Sequence, residues 1–223
     1  FLHCSGYLKK DTNFGNYFGK MYQPRYLSGL AAGAMTESNK IGYVAAFPIP
    51  EVIRGINAFA TGVKEVNPDA TVEVVWTFTW FGPEAETQAA NALLETGVDV
   101  LAQHQDSPST GIAAEAAGAK WISYNTAYGQ DAAPGAFVTA PVWDWGPYYV
   151  QVVESIVNDE FVAEAYWGGM ETGLVSLYEL SSDVPADTAT LISERTEEII
   201  SGSFDPPIVE DEFIDNVIGT VNP

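Results

Sequence analysis

At 223 residues the chain has room for one large domain or two modest ones, and 47% hydrophobic against 17% charged residues is a globular composition. Nine Lys and Arg stand against 30 Asp and Glu, a net charge of −21 that repels nucleic-acid backbones and anionic lipid surfaces. The acid is spread along helix faces, which leaves two readings: an ordinary acidic exported protein, or one adapted to high salt, where screening tolerates a dense negative surface.

Cys4 is the single cysteine, so neither an intrachain disulfide nor a Cys/His metal cluster is expected, and no cofactor is called for. The start, Phe1-Leu2-His3-Cys4, has no initiator Met or basic export region and reads as a buried strand from within a longer protein. A loop over Asp11–Asn16 and a helix over Tyr22–Met35 follow. From Lys40 onward strand and helix signals alternate. Ile41–Phe47 is a short apolar β-rich run broken by Pro48 and Pro50. The next helix carries Val52, Ile53, Ile56, Phe59, Ala60 and Val63 on one face and ends before Asn67-Pro68. Thr71–Thr79 is the second strand, and Pro83 introduces a helix over Glu84–Thr96 closed by Gly97.

The unit then repeats, with strands at Val98–Ala102, Trp121–Tyr124 and Phe137–Thr139 and helices at Pro108–Ala117 and Pro147–Asn158. Strands alternating with helices of this length imply right-handed crossovers, hence an α/β fold with a parallel sheet flanked by helices. A strand at Leu174–Leu180, a helix at Ala186–Ser201 and a Pro-rich tail complete the chain.

Ligands of open parallel sheets bind beyond the carboxyl ends of the strands. The loops there hold Phe47 and Glu51, Trp80 and Phe81, Gln105 and Asp106, Asn125 and Tyr128, then Trp143, Asp144 and Trp145. Rings, amides and carboxylates on one edge suit a planar, polar-edged solute. Trp76 and Trp121 lie inside strands and are read as core, and His3 and His104 as core or surface histidines. Glycine-rich dinucleotide loops, phosphate-binding P-loops and the G-x-S-x-G elbow are all missing, which argues against an enzyme. His104, Asp106 and Ser107 share one short loop, where neighbouring side chains seldom converge on base–nucleophile geometry.

The run from Lys40 to Phe59, together with Tyr22–Gly29, Gly97–His104, Asp106-Ser107-Pro108, Val142–Tyr149 and Tyr166–Gly169, resembles the basic membrane protein family of ABC-transporter substrate-binding lipoproteins. The resemblance covers nearly the whole chain. It implies a two-lobed type I periplasmic-binding fold, with residues 1–38 a remnant of the first lobe, 39–165 a complete second lobe, and 166–223 a crossover returning to the first. It further implies an extracytoplasmic protein with ABC permease subunits as partners, and a lipid anchor upstream of Phe1 that Cys4 does not supply.

The ligand it implies is a purine-type solute, with Trp80 where nucleoside-binding relatives place a base-stacking ring; with it Phe47, Gln105, Asp106, Asn125, Trp143, Asp144 and Trp167 are the expected ligand-binding residues. Nucleoside-binding relatives carry a ribose-binding carboxylate where this sequence reads Asn125-Thr126-Ala127, and a Lys where it reads Val142-Trp143. An adenine-like base is therefore expected over a nucleoside. The alternative is a ligand-sensing or enzymatic protein on the same bilobal scaffold.

Overall fold

Six parallel strands form the main sheet of the computed structural model, which describes residues 1–221. The elements run β1 (Leu2–Cys4), β2 (Gly15–Gly19), α1 (Tyr22–Met35), β3 (Lys40–Ala45), α2 (Pro50–Val66), β4 (Thr71–Trp76), α3 (Pro83–Glu95), β5 (Val100–His104), α4 (Ser109–Ala116) and β6 (Lys120–Ile122). They continue with α5 (Gly129–Ala132), β7 (Phe137–Thr139), β8 (Pro141–Trp143), α6 (Gly146–Val157), β9 (Ala165–Gly168), β10 (Val175–Leu177), α7 (Ala186–Ser201) and β11 (Val217–Ile218).

The sheet order is β11-β4-β3-β5-β6-β7. The alternation of side chains along each strand feeds two cores. Ile41, Tyr43, Val100, Ala102 and Ile122 face α1, α2 and α7 and pack with Tyr26, Leu27, Phe59 and Ile192. Val44, Leu101 and Trp121 face the other way, against Ala90 and Leu93 of α3 and Ala113 and Ala114 of α4. Pro50 begins α2 where its missing N–H is no loss, and Glu51 in the first turn with Lys64 in the last complements the helix dipole.

Three corrections to the expected boundaries follow. Helix α1 packs along α2 so closely that a β-carbon on Gly29 would lie 2.0 Å from the Phe59 carbonyl oxygen. It therefore belongs to the main lobe, and the segment 1–38 contributes only β1 and β2 to a second unit. There β9 joins them in a small parallel sheet of order β1-β2-β9. Helix α6 also packs on that sheet, Tyr148 stacking on Tyr166 at 4.4 Å and on Tyr17 at 4.9 Å between ring centroids, so 39–165 is not one lobe. Finally, the segment 166–223 leads back to the main lobe: α7 covers α1, and β11 pairs in parallel with β4.

Strand β10 stays outside the main sheet and pairs antiparallel with β8. Strands β2, β8, β9 and β11 have no counterpart among the expected strands, and β5 sits two residues later than expected, which carries His104 to the strand end. No helix among the described residues is long and apolar enough to cross a membrane.

Candidate ligand-binding site

The carboxyl ends of β3 to β8 face β1 and β2 across a cleft holding a cavity of about 480 Å³. The main-lobe side supplies Glu51, Trp80, His104, Asp106, Tyr124, Asn125, Thr126, Trp143 and Trp145, and the small sheet supplies Ser5 and Phe18.

One wall is aromatic. Trp143 stacks on Trp145 with centroids 4.7 Å apart and planes at 13°, and tilts against Phe18 at 5.0 Å. Trp80 rises from the loop after β4, 40% exposed, backed by Phe47 at 5.1 Å. Its backbone carbonyl accepts the Asp106 N–H at 3.0 Å, which ties the two loops together.

The polar wall is fixed by Asn125, which sits in the left-handed region at φ 69°, a conformation asparagine tolerates better than most residues. Its side-chain amide donates to Asp106 Oδ1 at 2.6 Å, and its oxygen accepts from Trp143 Nε1 at 3.1 Å. Both ends of the amide are thus committed, and Asn125 orients Asp106 and Trp143 rather than standing free for a ligand. Burial raises the Asp106 carboxyl above its ordinary value, with the Asn125 hydrogen bond opposing.

Glu51 lies in the first turn of α2, and burial raises its carboxyl as well, opposed by Arg54 and Arg25. His104 is fully enclosed, and burial, reinforced by Arg25, holds the imidazole well below its usual range, so it is neutral. Its Nε2 stands 3.7 Å from Glu51 Oε1, beyond hydrogen-bond reach, and its ring packs on Tyr124 at 4.5 Å.

Of the eight residues expected at the site, Trp80, Asp106, Asn125 and Trp143 line the cavity. Phe47 is a backing ring. The other three lie elsewhere. Gln105 is buried, and its amide donates to Thr77 Oγ1 at 2.5 Å. Asp144 accepts the Gly146 N–H at the start of α6. Trp167 lies beyond the cavity wall between the cations of Arg54 and Lys20, 5.4 and 6.0 Å from its ring.

Ser107 turns away from His104 and donates to Glu86, buried at the start of α3, so these neighbours form no nucleophile–base pair. Phe18, Ser5, His104, Tyr124 and Thr126 were not anticipated. The later position of β5 accounts for His104, and the expected loop ends at Asn16 with no element assigned to Tyr17–Gly19, which hid Phe18. Glu51 and Trp145 had been placed at the strand ends but not in the site.

Residues 1–205 match the family described as ABC transporter substrate-binding protein, PnrA-like. The chain belongs to this family. A Haloferax volcanii protein named as an ABC transporter glucose-binding protein is 44% identical over 205 residues, covering 92% of this chain and 52% of that protein. A purine-binding protein of Brucella abortus is 36% identical over 211 residues, covering 92% of this chain and 58% of that protein. The chain thus spans a little over half the length of these relatives. A solute-binding protein of an ABC transporter system from Aeropyrum pernix shares the fold, with a TM-score of 0.78 at 17% identity over 94% of this chain and 71% of that one. The expected α/β periplasmic-binding fold is thereby established, and the chain carries its cleft where the fold class places ligands.

Proposed function

We propose that this PnrA-like protein captures a purine-type solute in its cleft, a base of adenine type in preference to a nucleoside, and passes it to ABC permease subunits as a lipid-anchored extracytoplasmic receptor. The observation that carries the reading is the pairing of flat rings with fixed carboxylates. Trp80 and the Trp143–Trp145 stack offer faces to a planar heterocycle, while Asp106 and Glu51 offer acceptors to its edge. Acceptors at the edge favour a ligand with N–H donors, such as an exocyclic amine. The purine-binding relative supports the same class. Asn125, already held by Asp106 and Trp143, is poorly placed to hold ribose hydroxyls, and Thr126 beside it adds no carboxylate.

A hexose is the second reading. It is favoured by the name of the 44% identical relative, and a ring stacked on Trp80 with hydroxyls on Asp106 would use the same wall. Calorimetry of the full-length protein with adenine, adenosine and glucose separates these. Adenine should bind at least as tightly as adenosine, and Trp80→Ala should weaken it about ten- to a hundredfold, since a stacked ring adds roughly 0.5–1.5 kcal/mol beyond its buried area. Heat from glucose with none from adenine would move the assignment to a sugar, and a clear preference for adenosine would refute the base.

A further inference from the structure

We infer that Arg25 is a positioning residue of the ligand cavity: from beneath its floor the guanidinium holds the Tyr124 ring in place and stands as the counter-charge to Glu51. Arg25 lies on α1 and has no solvent exposure. Nη1 donates to the Gln103 carbonyl at 2.7 Å, while Nε and Nη2 have no protein partner. Among the described residues no carboxylate lies within 4.0 Å of it, although acidic residues outnumber basic ones throughout the chain. A guanidinium cannot shed its charge to escape burial, so something must compensate it.

The compensation comes from the cavity. The guanidinium carbon sits 3.9 Å over the Tyr124 ring and 5.6 Å from the Tyr43 ring, facing the negative faces of both. Tyr124 lines the cavity and packs on His104, which packs on Trp80 at 6.0 Å. Arg25 is therefore the buried end of a row of rings whose other end is the exposed stacking surface. If it were merely a peg tying α1 to the strand through Gln103, that bond alone would be required. The seat 3.9 Å over a cavity ring and the field at Glu51 would then be idle.

The groups that face Glu51 are Arg54 on its own helix, Arg25 on α1, His104 on β5, Asp106 after β5, Tyr124 after β6 and Cys4 on β1. Of the two cations, Arg54 already shares its charge with Glu210. A β-carbon on Gly55, one turn beyond Glu51 on α2, would lie 3.8 Å from Arg25 Nε, so the guanidinium lies against the Glu51 turn; with no carboxylate of its own within 4.0 Å among the described residues, its removal should be felt at Glu51.

The test is Arg25→Met in the full-length protein, which keeps length and apolar burial but removes the charge and the planar fork. The first readout is the Glu51 carboxyl ¹³C shift against pH without ligand, assigned by its loss in Glu51→Gln. Its titration midpoint should move upward in Arg25→Met and stay near the wild-type value in Arg25→Lys, which keeps the charge. The second readout rests on the purine reading: adenine affinity near neutral pH should fall about tenfold in Arg25→Met and several-fold in Arg25→Lys, because an ammonium cannot both stack on Tyr124 and hold Gln103. The acid limb of adenine binding should shift upward with the Glu51 midpoint, and in Glu51→Gln only the part belonging to Asp106 should remain, no longer sensitive to Arg25→Met.

A folded Arg25→Met protein with an unmoved Glu51 midpoint would overturn the inference. Should that variant not fold, Arg25→Lys with unchanged adenine affinity would do so. If the wild-type protein binds no adenine, the purine reading fails while the Glu51 titration still decides the role of Arg25.

Discussion

Two glycines on α2 submit one substitution to opposite physical tests. A β-carbon on Gly62 would lie 2.1 Å from the Tyr26 carbonyl oxygen and 2.9 Å from the Leu30 nitrogen, both in the backbone of α1. On Gly55, about two turns earlier, it would meet nothing nearer than Arg25 Nε at 3.8 Å, an ordinary contact. In a helix interior Gly→Ala gains about 0.8–1 kcal/mol from reduced backbone entropy. Gly55→Ala should keep most of that gain.

At Gly62 the two helices must part by about 1.4 Å to bring 2.1 Å to a contact distance of roughly 3.5 Å. Overpacking of this kind costs about 1–3 kcal/mol, and an opposing backbone that cannot rotate away puts it at the upper end. The net is a loss of about 2 kcal/mol for Gly62→Ala and a gain of up to about 1 kcal/mol for Gly55→Ala. At about 2–4 °C per kcal/mol for a chain of this size, Tm should fall by about 4–8 °C in the first and rise by about 2–4 °C in the second. Scanning calorimetry of both variants in one buffer measures this. A Gly62→Ala protein melting at or above the wild type would refute the close α1–α2 crossing, and with it the support beneath Arg25.

His104 gives a pH prediction of definite sign. The folded protein holds its imidazole well below the ordinary value of 6.5, so the unfolded chain takes up a proton that the folded one refuses. The stability is full above that unfolded value and is lost as pH falls toward the folded one. His104→Gln should be less stable than the wild type at pH near 7, with the gap in urea midpoint closing as pH falls to about 5; parallel curves would refute it. The net charge of −21 gives a salt prediction. The screening length shrinks from about 10 Å at 0.1 M to about 3 Å at 1 M, so Tm should climb across that range, and a flat or falling curve would favour an ordinary acidic exported protein over a salt-adapted one.

Much of the main lobe was legible because its signals are local. The bounds of α1, β7 and α7 agree with their expected ranges, and α2 and α3 agree to within one to a few residues. Apolar spacing, a proline at the start and a glycine or proline beyond the end are properties of neighbouring residues. The strands missing from the sequence reading, β2, β8, β9 and β11, are two to five residues long. Too few turns of the pattern repeat for a period to emerge, and their pairing partners lie far away in sequence. The lobe boundaries failed for the same reason: nothing within 1–38 says that α1 will pack on α2, or that Val217–Ile218 will complete a sheet begun at Lys40.

The site divides along the same line. The sequence alone determined that the fold is α/β and that Trp80, Asp106, Asn125 and Trp143 stand at one edge, because a parallel sheet sends every strand-end loop to the same side. Only the tertiary structure decided which side chains on those loops turn into the cleft. Gln105 and Asp106 are adjacent in the chain, yet one bonds inward to Thr77 and the other is held toward the cavity by Asn125. The tertiary structure alone also placed Phe18 across the cleft and Arg25 under the floor. Both arrive from elements remote in sequence, and a side chain's direction is set by the partners that satisfy it, which local pattern does not encode.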